Sequence, residues 1–260
     1  MKPEYTRVEV SDVPVDCTTF EYVLERMEAS IRAGRTGRYV SITNTESMYH
    51  ALNDAAHMAF VKGSDFSLCD GIGSVIAGFA WGHDVPRLNG PIFMLRACDY
   101  GQKRGWRHFF YGGDVGVAET MVAKLKELYP QLESVGTYCP PFRPLTAEEE
   151  AEVGRMISKA RPDIVWVGLG LLKQERWIAA HLDGLAVPWM VGVGAAFDYH
   201  SGAVPWAPQW LQKIGMEWLF RLIIQPRRRF KRYWWSFVFM FRSLFEGLAR
   251  RFKSKTIKGS

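Results

Sequence analysis

Asp163-Ile164-Val165-Trp166-Val167-Gly168-Leu169-Gly170-Leu171-Leu172-Lys173-Gln174-Glu175 is the stretch that decides how this chain folds. A short apolar run flanked by a charge and a glycine reads as a strand buried on both faces. Two glycines then turn the chain, and residues 173–183 return to a helical pattern. The same unit recurs. Residues 38–42, 65–69, 108–111, 133–137 and 189–193 read as further strands, and 18–33, 46–61, 91–104, 115–128 and 146–160 as helices. Strands separated by helices of this length predict an α/β fold, a mostly parallel sheet with helices on both faces. Thr146-Ala147-Glu148-Glu149 predicts a capping box for the helix near 146–160, after a proline-rich loop at 140–144.

The 260 residues suit one α/β domain of ordinary size, with 48% apolar residues to build its core. Disorder as the main state is excluded. Four cysteines (Cys17, Cys69, Cys98, Cys139) without a C-x-x-C pair exclude a disulfide scaffold or a zinc ribbon and point to reduced thiols in a cytosolic compartment. The N-terminus lacks the apolar core of a secretory signal, and no stretch is long and apolar enough to span a membrane. The net charge of +6 is uneven. From Arg221 onward twelve Lys/Arg stand against Glu246 alone, so the remainder is acidic. Such a segment seeks a polyanion: an acidic bilayer, nucleic acid or phosphates.

In open parallel sheets ligands bind beyond the carboxyl ends of the strands. There the sequence places Thr43-Asn44-Thr45-Glu46, Asp70-Gly71-Ile72-Gly73, Gly112-Gly113-Asp114-Val115-Gly116, Gly168 to Glu175, and Gly192 to Asp198. Glycine lets backbone approach an anion closely, and helix N-termini favour negative charge. Asp70-Gly71 reads equally as a tight turn with an Asx bond, Gly112-Gly113 as plain turn chemistry, and Asp198 as a cap. His50 and His57, seven apart on one expected helix, lack a third ligand and read as surface or packing residues. No D-x-D or E-x-D pair stands ready to hold a divalent cation on a diphosphate. Arginine, which matches phosphate in a fork, can take that role.

Residues 207–221 read as a helix, interrupted at Pro226. Beyond it Trp234, Phe237, Val238, Phe241, Leu244, Phe245, Leu248 and Phe252 recur at helical spacing, with Arg242, Glu246, Arg250 and Lys253 on the other face. This basic amphipathic helix with aromatic anchors fits an in-plane membrane helix. Packing on the domain itself or on a second copy stays open, as does a homo-oligomer. Single-stranded nucleic acid is disfavoured, because the apolar pattern runs two turns past the basic cluster. The chain thus divides into a core at 1–206 and a helical, membrane-associating appendage at 207–260.

Taken together the motifs resemble the WecG/TagA/CpsF glycosyltransferases (family 26), from near residue 10 to about 235. The resemblance rests on Asn44-x-Glu46, Asp70-Gly71-Ile72-Gly73, Arg87-x-x-Gly90, Phe110-x-Gly112-Gly113, Gly168-x-Gly170-x-x-x-Gln174-Glu175-x-Trp177-Ile178, and Gly192-Val193-Gly194-x-x-Phe197-Asp198. It rests most on Ala207-Pro208-x-Trp210-x-Gln212-x-x-Gly215-x-Glu217-Trp218-x-x-Arg221 and Pro226-x-Arg228-x-x-x-Arg232-Tyr233. Departures from the usual pattern stand at Ile42, Phe93, Leu172 and Trp206. The resemblance implies a Rossmann-like core whose C-terminal appendage closes over the site. It also implies an inverting, metal-independent transferase without a cofactor, moving a sugar from a UDP-sugar to a polyprenyl-diphosphate-linked acceptor at the cytoplasmic membrane face. Exopolysaccharide or cell-surface glycan assembly is the expected setting. By motif, Asp70 is the implied base. Arg87 and Gln174 hold substrate. Asn44 with Thr43 or Thr45 lines the pocket, and the glycines Gly112, Gly113 and Gly170 approach the ligand. Arg221, Arg228 and Arg232 meet the diphosphate. The rival reading is a non-catalytic membrane adaptor that keeps a nucleotide-sugar-binding fold.

Overall fold

The computed structural model describes residues 5–258, with the side chains of 228, 229, 231 and 251–258 outside the description. In chain order the elements begin with a hairpin, β1 (Thr6–Val10) and β2 (Val13–Cys17), then α1 (Phe20–Arg32), β3 (Arg38–Thr43), α2 (Thr45–Asn53) and α3 (Ala55–Gly63). Next come β4 (Phe66–Cys69), α4 (Ile72–Ala80), α5 (Gly90–Gln102), β5 (Arg107–Gly112), α6 (Val117–Leu128) and β6 (Glu133–Tyr138). Then follow α7 (Ala147–Ala160), β7 (Ile164–Gly168), α8 (Lys173–His181), β8 (Trp189–Gly192) and α9 (Ala196–Ser201). The C-terminal helices are α10 (Gln209–Lys213), α11 (Glu217–Ile224) and α12 (Pro226–Lys258). The six-stranded sheet has the order β4-β3-β8-β7-β5-β6, and its pairings from β3 to β6 are parallel. This is the expected α/β, Rossmann-like architecture: a parallel sheet flanked by helices, with a C-terminal helical segment.

The chain forms two compact units. Among the described residues, one comprises 5–19, Ile42–Asn89 and 207–258; the other comprises Phe20–Ser41 and Gly90–Trp206. In the second unit β5, β7 and β8 carry fully buried Phe109, Phe110, Val165, Trp166 and Trp189, as near-continuous apolar strands buried on both faces require. His108 lies buried among these rings, stacked on Trp166 and accepting a hydrogen bond from Trp166 Nε1 at 3.0 Å. Burial holds its imidazole neutral, with the pKa lowered to about 3. The capping box is present: Thr146 Oγ1 accepts from Glu149 N while Glu149 accepts from Thr146 N.

In the first unit the hairpin is an addition to the sequence reading. Ser11 and Asp12 form its two-residue turn with φ of 50° and 64°, and valines alternate on either side. Asp16 ties β2 to β4: it is fully buried, pairs with Arg7 at 2.7 Å, and accepts from the backbone N–H of Ser67 at 2.7 Å. A backbone donor of an edge strand is thereby satisfied.

Two other readings change. The helix expected over 46–61 is two helices, because Asp54 accepts from the N–H groups of Ala56 and His57 and opens α3. His50 and His57 therefore sit on different helices, and His57 is buried with its Nε2 2.9 Å from Ser47 Oγ. The helix expected over 207–221 breaks at Gly215, whose φ of 75° ends α10; a Cβ there would fall 2.8 Å from Ile72. Pro226 opens α12, where its missing N–H costs nothing.

The sequence reading left open what α12 packs on. The helix packs on α2 and α4. Its buried stripe is Phe239, Ser243 and Gly247, spaced by four, with Trp235 stacked on Tyr49. Ser243 Oγ bonds Ser11 Oγ and Trp81 Nε1, at 3.0 and 3.1 Å. Trp234, Phe237, Val238, Phe241, Phe245 and Leu248, the expected apolar face, stay exposed; Phe252 and Lys253 lie outside the described side chains. The approach at Gly247 is close enough that an added Cβ would sit 2.8 Å from the Ala80 carbonyl oxygen. Gly247→Ala is therefore expected to destabilise by about 1–3 kcal/mol despite the better helix propensity of alanine. Gly154→Ala, in α7 with 3.9 Å of room, is expected to stabilise by up to about 1 kcal/mol. Urea denaturation of the two variants checks the contrast.

Candidate active site

The first unit holds a cleft of about 460 Å³. One wall is polar. Asn44, Thr45 and Glu46 come from the start of α2, Asp70 from the end of β4, Arg87 from the loop after α4, and Glu217, Arg221 and Arg232 from α11 and α12. The lining also has an apolar part, which includes Ile72, Ile76, Ile214, Trp218, Phe237 and Met240.

Local chain physics puts these groups in place. Asn44 caps α2, its side-chain oxygen accepting from Ser47 N at 2.9 Å. The Asp70 N–H bonds Thr43 O at 2.9 Å, extending the sheet pattern to the strand end. Gly71 then takes a φ of 84°, which only glycine adopts without strain, and α4 starts at once. A Cβ on Gly73 would lie 2.8 Å from Thr45 Cγ2, so the starts of α2 and α4 approach closely because residue 73 has no side chain.

The electrostatics are dense. Glu217 is bound by two guanidinium groups: Arg87 Nη2 donates to its Oε2 at 2.8 Å, and Arg221 Nη2 donates to its Oε1. Arg87 Nη1 also donates to Gln212 O at 2.6 Å, while the buried Arg87 Nε has no hydrogen-bond partner among the described residues. Arg232 binds Glu46 through Nε and Nη2, at 2.9–3.0 Å. Asp70 is partly exposed in the cleft. Its carboxyl pKa is raised, by burial first and then by the charge of Glu217; Arg221, Arg87 and the Gly71 N–H pull the other way. Behind it Cys69 is a free thiol, held protonated by burial and by Asp70.

The residues expected from sequence separate into groups. Asn44, Thr45, Asp70, Arg87, Arg221 and Arg232 line the one cleft. Thr43 does not reach it: the residue is fully buried, its hydroxyl 2.8 Å from Ser67 Oγ. Arg228 lies outside the described side chains. Gly112, Gly113, Gly170 and Gln174 belong to the second unit. Gly112 is required by the sheet itself, since a Cβ would sit 2.6 Å from the Gly168 backbone, and Gly113 is crowded by Val117. Gly170, with φ 84° and nothing within 4 Å of an added Cβ, keeps open space. Gln174 is buried and engaged at both ends of its amide, accepting from Gly194 N and donating to Glu175, both at 2.9 Å. Among the described residues no three His, Cys, Asp or Glu side chains come together as metal ligands. Glu46 and Glu217, quoted only as motif letters in the sequence reading, turn out to be the counterions of the cleft. For Glu217 the signal available was its place one helical turn before the motif Arg221; for Glu46, far in sequence from Arg232, there was none.

A family model described as Glycosyl transferase WecG/TagA/CpsF family matches residues 8–253. The chain belongs to this family. It is a glycosyltransferase. A protein of Bacillus subtilis (strain 168) named N-acetylglucosaminyldiphosphoundecaprenol N-acetyl-beta-D-mannosaminyltransferase is 28% identical over 222 residues, 84% of each chain. Proteins of the same name from Bacillus spizizenii (strain ATCC 23059 / NRRL B-14472 / W23) and Staphylococcus aureus (strain NCTC 8325 / PS 47) are 28% and 25% identical. They cover 79% and 85% of this chain and 78% and 86% of their own.

Gln174 yields a test of support against ligand contact. Gln174→Leu strands the Gly194 N–H and removes a donor from Glu175. It is expected to lower the stability of the ligand-free protein by about 1–3 kcal/mol in urea denaturation. A residue serving only as a ligand contact would leave that stability unchanged.

Proposed function

We propose that this glycosyltransferase moves a sugar from a UDP-sugar to a polyprenyl-diphosphate-linked acceptor, with inversion and without a metal ion, in exopolysaccharide or cell-surface glycan assembly. The observation that carries the reading is the placement of Asp70, with its raised pKa, in one cleft with Arg87, Arg221 and Arg232. The names of the relatives support a sugar on a diphosphoundecaprenol carrier as the acceptor.

Asp70 takes the proton from the acceptor hydroxyl. The freed oxygen forms a bond to the anomeric carbon of the donor on the face opposite UDP. The bond from that carbon to the phosphate oxygen breaks, and its electron pair leaves on UDP. A base works best when its pKa lies near the working pH, and burial moves Asp70 in that direction. Guanidinium groups meet the charge developing on the departing diphosphate. The free amide hydrogens of Asn44 and the hydroxyl of Thr45 orient sugar or phosphate beside Asp70.

Asp70→Asn is expected to cut transfer by at least about a hundredfold. The same change is expected to leave the fold intact and raise its stability at neutral pH. The sign follows from the raised pKa. Above the ordinary carboxylate range the folded state still holds a proton that the unfolded state has released, so stability falls as pH rises through that window. The assay is a screen of UDP-sugars against lipid-linked acceptors read by product mass, in excess EDTA. Wild-type turnover by Asp70→Asn, or activity that only magnesium restores, would overturn the reading.

The C-terminal segment 207–260 is proposed to hold the enzyme on the inner face of the cell membrane as a peripheral protein. Among the described residues no helix is long and apolar enough to cross a bilayer. Ile223, Phe230, Trp234, Phe241 and Phe245 are all exposed beside arginine-rich chain, as an interfacial helix requires. Phe241→Ser with Phe245→Ser is expected to weaken sedimentation with phosphatidylglycerol vesicles at least about tenfold. The melting temperature should not change, because neither ring is buried. Unchanged sedimentation would contradict the membrane role.

A further inference from the structure

We infer that Glu217 is a positioning residue of the active site, holding Arg87 and Arg221 as one unit and balancing their charge next to Asp70. The inference rests on the proposed role of Asp70 and assigns the site a component that the reaction scheme above does not contain.

The geometry argues for it. Glu217 is the first residue of α11, so one side chain at a helix start faces a loop arginine and an arginine one turn along its own helix. Its side chain is 10% exposed. Two guanidinium groups lining one cleft repel each other, and a single carboxylate with one oxygen on each removes that repulsion and fixes both forks. Gln212 O holds Arg87 from a second side, which leaves its Nε as a donor still to be met. A bound phosphate oxygen is the acceptor such a buried donor calls for.

Glu217 acts on the base as well. The other charged or titratable groups of the cleft are Glu46 on α2, Arg87 on the loop after α4, Arg221 on α11, and Arg232 and Tyr233 on α12. Glu46 already faces Arg232. Glu217 is the carboxylate whose charge raises the Asp70 pKa against the pull of Arg87 and Arg221. Without it those two cations act on Asp70 unopposed, and the carboxylate becomes a weaker base. A glutamate with no electrostatic role at the site would affect stability and leave the Asp70 titration unmoved.

The test is a ¹³C-carboxyl titration of aspartate-labelled, full-length protein without ligand, with the Asp70 signal assigned by its loss in Asp70→Asn. In Glu217→Gln the Asp70 midpoint is expected at lower pH than in the wild type. In Glu217→Asp, which keeps the charge but withdraws it by one methylene, the midpoint should fall between the two. If Glu217→Gln does not fold, a lowered midpoint in Glu217→Asp supports the inference. A midpoint at or above that of the wild type, in whichever variants fold, overturns it. The outcome is independent of catalysis. Wild-type transfer by Asp70→Asn would refute the base, whereas an unmoved midpoint would refute Glu217 alone.

Discussion

Two arginines share one carboxylate at the centre of this site, and much of the first unit serves to make that arrangement affordable. Burying an ion pair costs desolvation that its own attraction seldom repays in full. A core selected only for stability would fill the space with apolar side chains. Here Arg87, Glu217 and Arg221 line a cleft that also has apolar side chains in its lining, so a diphosphate bound there would feel the charges more strongly than in bulk water. The scaffolding around them is correspondingly firm. Gly215 lets the α10–α11 turn rest on Ile72, Gly247 lets α12 lie on the end of α4, and Asn44 fixes the start of α2.

The parallel strands were the plainest feature of the sequence, because short apolar runs alternating with helical patterns have few other readings. The hairpin of β1 and β2 was written in the alternating valines around Ser11-Asp12, yet it sits in a stretch whose mixed charge suggests a loose terminus. Helix α4 escaped because Ile72–Ala80 is apolar nearly all round and carries two glycines, so it has no polar face to give it a period. Residues that break helices through side-chain caps or left-handed glycines, such as Asp54 and Gly215, act through contacts that periodicity does not report.

The site was partly legible. Asp70, Arg87, Arg221 and Arg232 were assigned by the family resemblance, and they line one cleft. What the sequence does not convey is which polar residue faces a cleft and which faces the protein. Thr43 and Gln174 illustrate the point: both carry groups suited to a ligand, and both bond to their own chain instead. For α12 the sequence shows an aromatic stripe suited to a membrane surface but not the face on which the helix packs. It sits on α4 through Ser243 and Gly247, which permit a closer approach, while Trp234, Phe241 and Phe245 remain exposed. That arrangement links the fold to the proposed membrane role, since rings not needed for packing are available to a bilayer.

The central claim is that the arginines of this cleft receive a diphosphate beside Asp70. A crystal structure of the protein with UDP tests it most directly. The account predicts guanidinium nitrogens of Arg87, Arg221 or Arg232 at roughly 2.7–2.9 Å from phosphate oxygens, with the Asp70 carboxyl open toward the vacant sugar position. A nucleotide bound away from this cleft, with all three arginines still held by Glu217, Glu46 and Gln212, would contradict it.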